Sequence, residues 1–145
     1  MSVVSVNKRA RFDYEILETY EAGIELKGFE VKAVKTGHIN LAGAYVIIRT
    51  NQAWLINADI PPYQPKNTPP DYDSKQSRRL LLHSSEIKRL VGRTQEKGLT
   101  LVPLEVYIKN RRIKLKVGLA KSRKEFDKRE LIKKREFERE TNLGM

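Results

Sequence analysis

Along Ile113, Leu115, Val117 and Leu119, apolar residues alternate with Lys114, Lys116 and Gly118, the period-two pattern of a strand with one face in a core. One face builds the interior and the other displays ammonium groups. An apolar stretch over 101–108 precedes it across Lys109, Asn110, Arg111 and Arg112, so the two predict an antiparallel hairpin. Residues 44–49 and 53–60 flank Thr50, Asn51 and Gln52 in the same way and contain the sole Trp, Trp54. Earlier in the chain, Tyr14, Ile16 and Tyr20, then Ile24 and Leu26, predict one bent strand or a hairpin with its bend at Ala22 and Gly23.

Two segments carry helical spacing instead. In 28–35, Val31 and Val34 are three apart, Glu30 lies in the first turn and Gly37 stops the element, with Lys32 and Lys35 on one side. Ser84 is placed to cap a second helix through Ile87, Leu90 and Val91, ended by Lys97 and Gly98. Between them, residues 61–79 hold Pro61, Pro62, Pro65, Pro69 and Pro70, which predicts a long surface loop without regular structure. The order is strand, helix, two strands, helix, two strands, tail, with hairpins and no βαβ repeat. It predicts a mostly β fold with short helices: a small closed or nearly closed antiparallel β-barrel over 1–120, followed by a tail over 121–145.

Composition adds a direction to this fold. The 145 residues carry 29 Lys and Arg against 18 Asp and Glu, a net charge of +11, which makes a polyanion the leading partner class. From position 105 onward there are 14 Lys and Arg against 7 Asp and Glu, so the basic end is C-terminal. Basic residues cluster as the arm Lys8, Arg9, Arg11; the helix face Lys32, Lys35; the pair Arg78, Arg79; and the run over 109–135. Tyr14, Tyr20, Tyr45, Trp54 and Tyr107 are interleaved in strands and offer stacking faces for bases, although Tyr45 and Trp54, set in apolar runs, read as core. In the tail, Phe126 and Phe137 share a helical face while Leu131 and Ile132 point elsewhere, so no apolar stripe exists. The tail is expected to be disordered or marginally helical alone and to order on a partner.

Catalytic chemistry is poorly supplied. There is no Cys, and His38 and His83 lack metal-ligand spacing, which suits a polar loop or helix-terminus role for each. Ser5, Val6, Asn7, Lys8 and Lys35, Thr36, Gly37 mimic penicillin-binding motifs by chance, with Ser5 in an expected frayed terminus. Asp71, Tyr72 and Asp73 begin like a calcium loop but lack its Gly and closing Glu. A metal-dependent nuclease using Asp71, Asp73 or Glu30 is the enzymatic alternative, and a generic single-stranded RNA-binding barrel the non-enzymatic one. No cofactor, metal or membrane partner is expected. The longest apolar run, 44–48, is strand-sized, and the N-terminus lacks a charged segment followed by a long apolar one. A cytoplasmic location and a monomer are expected.

Several collinear motifs resemble one family. They run from Asn7, Lys8, Arg9, Ala10, Arg11 through Tyr20, Glu21, Ala22, Gly23 and Gly28, Phe29, Glu30, Val31, Lys32 to Gly37, His38, Ile39, Asn40, Leu41. Leu80, Leu81, Leu82, His83, then Lys97 to Leu104, then Asp127, Lys128, Arg129 continue the series. The chain thereby resembles the tmRNA-binding proteins of bacterial trans-translation, also called SsrA-binding proteins. The resemblance implies an oligonucleotide-binding-type (OB-like) barrel that grips the tRNA-like domain of tmRNA and brings it to ribosomes stalled on messages without a stop codon. It implies a tail that becomes helical in the decoding centre and the empty mRNA channel.

On that resemblance and the charge pattern, the expected tmRNA contacts are Asn7, Lys8, Arg9, Arg11, Glu21, Lys32, Lys35, Asn40, Arg79 and Leu81. The expected ribosome-binding tail residues are Lys121, Arg123, Lys124, Phe126, Asp127, Lys128, Arg129, Lys133, Lys134 and Arg135. Two positions depart from the family pattern: Ser122, Arg123, Lys124 stand where Gly-Lys-Lys is usual, and Phe126 where Tyr or His is frequent.

Overall fold

The computed structural model describes residues 1–123, 128–129 and 131–136. Over residues 1–123, seven strands and three α-helices follow the order β1 (Ser2–Val6), α1 (Ala10–Asp13), β2 (Tyr14–Ile24), α2 (Gly28–Lys35), β3 (Tyr45–Arg49), β4 (Gln52–Ile56), β5 (Arg78–Leu81), α3 (Ser84–Arg93), β6 (Leu99–Lys109) and β7 (Arg112–Ser122). All pairings are antiparallel. The sheet order β1-β6-β3-β4-β5-β2-β7 closes through an additional β6–β7 pairing, so six strands form a ring and β1 adds to its outside edge. This is the OB-like barrel.

β6 makes the closure possible by sharing one edge between two strands. Its start pairs with β3 at Leu101↔Val46, and its end pairs with β1 from Glu105↔Val6 to Ile108↔Ser2, while β7 runs along the other edge. Ladder irregularities fall between Pro103 and Glu105, between Ile16 and Glu18, and between Val3 and Ser5. Proline has no N–H to give to a ladder, so Pro103 belongs at such an irregularity, and bulges supply the extra bend a small ring needs.

Both hairpins turn in two residues rather than the three or four expected. Thr50 and Asn51 have φ of 52° and 57°, and Asn110 and Arg111 have 52° and 64°. Two successive left-handed residues match the twist of the flanking strands, so pairing persists to Arg49↔Gln52 and Lys109↔Arg112.

The interior follows the alternation seen in the sequence. Ile113, Leu115, Val117 and Leu119 face inward with Val46, Leu55, Leu80 and Val106, and Ala33, Val34 and Leu90 join this core from α2 and α3. A second, smaller cluster of Ala10, Val102, Leu104 and Ala120, flanked by Tyr14 and Ile16, lies apart from it. Gly118 sits against that second cluster, where a Cβ would lie 3.0 Å from Leu104 Cδ1. Helix α3 is tied to β2 by Glu18, which accepts hydrogen bonds from Arg89 and, at 3.1 Å, from Arg93 Nη1.

Several expectations change. The N-terminus is a paired strand, β1, with Ser5 opposite Val106, and α1 follows it. The stretch 14–24 is one continuous strand, not a hairpin. Helix α3 begins one residue past its N-cap, His83, whose N–H donates to Glu86 Oε1 at 3.0 Å, and it ends at Arg93, before Lys97 and Gly98. The two histidines do take the polar loop and helix-terminus roles expected of them: His83 is that N-cap, and His38 lies in the loop after α2, its Nδ1 2.8 Å from Thr36 Oγ1. The Pro-rich segment, expected to lack regular structure through 79, contains a 3₁₀ turn (Pro65–Asn67) and ends in β5, which starts at Arg78.

The aromatic assignments reverse. Tyr45 is exposed and Trp54 half-buried, both on the outward parity of β3 and β4, whereas Val46, Ala53 and Leu55 point inward. Tyr107, offered as a stacking face, is 2% exposed.

Candidate nucleic-acid interface

The basic residues gather in two regions, with the rest dispersed. The first surrounds α1. Asn7 Nδ2 donates to the Pro103 carbonyl at 2.9 Å and its Oδ1 accepts from the Ala10 N–H at 3.3 Å, so Asn7 fixes the step from β1 into α1. That step leaves Lys8, Arg9 and Arg11 exposed. The Arg9 guanidinium lies 4.8 Å from the centre of the Phe12 ring, and its Nε meets Asp13 Oδ2 at 3.1 Å. Beside them is a hollow of about 260 Å³ lined by Asn7, Arg9, Asp13, Tyr14 and residues of 43–45 and 100–102.

The root of the tail reaches the same region. Arg123 N–H donates to the Asp13 carbonyl at 2.8 Å, and Lys128 Nζ lies 3.1 Å from Asp13 Oδ1 and 5.8 Å from the Phe12 ring centre. Partial burial pushes the Asp13 carboxyl up, but Lys128 and Arg9 outweigh it and hold it below the usual carboxylate range. A tail with no apolar stripe therefore still contacts its own domain, through the Lys128 charge and the Phe12 ring face. Residues 128–129 and 131–136 are helical; Lys121, Arg129, Lys133, Lys134 and Arg135 are exposed. Lys124, Phe126 and Asp127 lie outside the described residues.

The second region centres on Glu21, in the outward row of β2. Its Oε2 accepts a hydrogen bond from Tyr107 Oη at 2.7 Å and from Lys109 Nζ at 3.3 Å. The Tyr107 hydrogen bond, with Lys109 and Lys114 nearby, keeps the Glu21 carboxyl below its ordinary range. Burial and the facing Glu21 push the Tyr107 phenol up, so it stays a donor. Two residues on, Gly23 pairs with Leu81, and a Cβ at Gly23 would come within 3.3 Å of Leu81 Cβ. Leu81 is 47% exposed, and with Lys35, Arg111, Arg112 and Lys114 it lines a hollow of about 270 Å³. An apolar floor ringed by four cations suits a sugar-phosphate segment, because phosphates take the cations and the sugar the floor.

Arg111 and Arg112 were grouped with the tail by adjacency in sequence. The fold separates them: β7 spans 11 residues from Arg112 to Ser122, roughly 35 Å of strand, so its turn end joins Lys35 and Leu81 while its far end joins Asp13. The signal for this was already in the sequence, since a predicted turn at 109–112 and the strand alternation after it put Arg111 and Arg112 at one end of the strand and Lys121 at the other.

The remaining candidates are dispersed. Lys32 is exposed on α2. Asn40 Oδ1 accepts from the Ala42 N–H at 2.9 Å and its backbone bridges Asp59, so it shapes a turn. Arg79 is half-buried and lies 3.4 Å from Glu25, whereas Arg78, paired with it in the sequence reading, is 2% exposed and bound to Glu30. Arg78 is thus unavailable to phosphate, and Glu30 unavailable as a nuclease carboxylate. Among the described residues, no group of three or more His, Asp or Glu could hold a metal ion, and no helix is long and apolar enough to cross a membrane.

A family model described as "SmpB protein" matches residues 4–145. The chain is 49% identical over 143 residues to the SsrA-binding protein of Gloeothece citriformis, covering 99% of this chain and 92% of that one. It is 49% identical over 141 residues to the SsrA-binding protein of Coprothermobacter proteolyticus, covering 97% and 94%. A solved structure described as "tmRNA-SmpB: a journey to the center of the bacterial ribosome" superposes with a TM-score of 0.69 and 44% identity over 86% of this chain and 87% of that one.

Proposed function

The chain belongs to the SmpB protein family, and from that premise we propose that it is a non-enzymatic adaptor that binds the tRNA-like domain of tmRNA and delivers it to ribosomes stalled on non-stop mRNA. The observation that carries this reading is the family match over residues 4–145, which includes both the barrel and the tail. The site fits it. Cations that hold phosphate give affinity, while a fixed carboxylate beside an exposed leucine gives shape and register.

Glu21 acts here as a positioning acceptor. Tyr107 and Lys109 both bind Oε2, which leaves Oε1 to take a hydrogen bond from a ribose hydroxyl or a base edge. Leu81, Lys35, Arg111, Arg112 and Lys114 form the wall that this RNA segment follows, and Lys8, Arg9 and Arg11 extend the phosphate contacts from α1. The C-terminal segment beyond the barrel occupies the decoding centre and mRNA channel. The protein works as a monomer in the cytoplasm, where its two RNA partners are.

Affinity measured across a salt series for the tRNA-like domain of tmRNA, an ordinary tRNA and a single strand of equal length tests this. The expected result is a preference for the tRNA-like domain that survives raised salt. Equal binding to all three that salt erases would reduce the protein to a general basic RNA-binding barrel.

A further inference from the structure

Outward parity on the β3–β4 hairpin places Tyr45, Ile47 and Arg49 opposite Ile56, Trp54 and Gln52. These six side chains line a hollow of about 440 Å³, larger than the hollow beside α1 and the one beside Leu81, and it shares no residue with the latter. Its volume lies within the roughly 300–1,000 Å³ of sites that take small ligands. Its floor is aromatic and aliphatic, with Tyr45 47% exposed and Trp54 half-buried. Water against such a face is unfavourable, so covering it is favourable.

The rim names the partner. None of the lining residues is acidic; Arg49 stands at one end, and Arg79 pairs with Trp54 across the β4–β5 ladder. Thr50, Gln52 and Ser77 add hydrogen-bonding groups around the apolar floor. An aromatic face with a guanidinium at one end matches a nucleotide: the base takes the ring, the phosphate takes the Arg49 cation, and base edges take the polar rim. We propose that this outer face of β3 and β4 is a stacking platform for an unpaired RNA nucleotide, with Trp54 beneath the base and Arg49 on its phosphate. The nucleotide must be unpaired because paired bases in a duplex have no free face to offer. The platform is separate from the Glu21 and Leu81 surface, so it stands whether or not tmRNA is the barrel's main ligand.

Trp54 is the sole Trp, so its emission reports this face alone. Full-length protein is titrated with fluorescently labelled decauridylate and with a ten-base-pair RNA duplex, following Trp54 emission and RNA anisotropy together. The expected result is saturable quenching by the single strand that follows the anisotropy, and none by the duplex. Arg49→Gln should raise the midpoint about fivefold, and Trp54→Ala about tenfold in anisotropy, in line with about 1–3 kcal/mol for a base on an aromatic ring. Circular dichroism confirms that each variant is folded, and Arg49→Gln, a surface change, keeps the test valid if Trp54→Ala is not. Anisotropy that saturates with no change in Trp54 emission would overturn the proposal. So would an emission shift that follows protein concentration without RNA, which would make the face a contact between copies of the chain.

Discussion

Glu30 and Arg78 meet inside the molecule, Oε2 to Nη2 at 2.7 Å and to Nε at 2.8 Å, with both residues at most 2% exposed. The remaining donors of Arg78 reach the Ala58 and Ser74 carbonyls at 2.7 and 2.8 Å, and the Tyr72 hydroxyl sits 3.0 Å from the same Glu30 oxygen. Glu30 Oε1 meanwhile accepts from the Lys27 N–H at 2.9 Å, at the start of α2. One ion pair therefore fastens α2, β5 and the Pro-rich loop together. Burial pushes the Glu30 carboxyl up, yet these donors leave it below its ordinary range and charged.

Breaking that pair by removing one partner leaves a buried charge without its counterion. Arg78→Met is expected to destabilise the fold by about 3–5 kcal/mol, and Glu30→Gln in the same direction. Urea unfolding followed by circular dichroism checks this. The double variant Glu30→Gln, Arg78→Met should be less damaged than the sum of the singles.

Glu18 gives a pH signature. Arg89, then Tyr20, then Arg93 hold its carboxyl down to about 2 from an ordinary 4.5. A folded pKa below the unfolded one means that the stabilisation is complete above 4.5 and is lost as pH falls from 4.5 towards 2. The melting-temperature gap between the natural chain and Glu18→Gln should be constant from pH 7 to pH 5 and should close on further acidification.

Gly118 has no room for a side chain. A Cβ there would lie 3.0 Å from Leu104 Cδ1 and 3.4 Å from Ile16 Cγ2, both in the outer cluster. Gly118→Val is expected to destabilise by about 1–3 kcal/mol through overpacking, measured by urea midpoint, and Leu104→Ala in the same chain should recover part of it.

Glu21→Lys puts a third cation beside Lys109 and Lys114 and removes the acceptor of the buried Tyr107 hydroxyl. Affinity for the tRNA-like domain should fall although net charge rises, whereas Glu21→Gln, which keeps an acceptor, should retain most of it. Filter binding of both variants separates positioning from charge.

Asp13 and Lys128 set where the tail leaves the barrel, with Arg9 on the other carboxylate oxygen. Because the chain has no Cys, spin labels can be placed on single cysteines at positions 15 and 134. Asp13→Asn should broaden the measured distance distribution, and the charge exchange Asp13→Lys with Lys128→Asp should narrow it again. The pair is partly exposed, so raised salt should broaden it as well.

Much of the barrel was written in local pattern. The alternation over 113–119 fixes which side of β7 is inside, and the spacing of Val31, Val34 and Leu90 fixes the buried stripes of α2 and α3, because periodicity depends only on backbone geometry. The basic excess and the collinear motifs likewise pointed to an RNA partner without reference to coordinates.

What local pattern did not contain was partnership across distance. The apolar runs around Tyr45 and Trp54 look like core until the ring closes and their parity falls outward, while Tyr107, on the same outward parity as its partner Lys114, is nevertheless covered and bonded to Glu21. Arg78 and Arg79 are adjacent and chemically alike, yet alternation along β5 sends one to buried Glu30, 48 positions away, and the other to the opposite face beside Glu25. Arg112 and Lys121 read as one basic run, and an 11-residue strand carries them to opposite ends. Sequence determined the elements, their faces and the charge, since these are set by each residue and its near neighbours. Only the tertiary structure decided which carboxylate each cation meets and which aromatic rings remain open to a partner, since those follow from closing six strands into a ring.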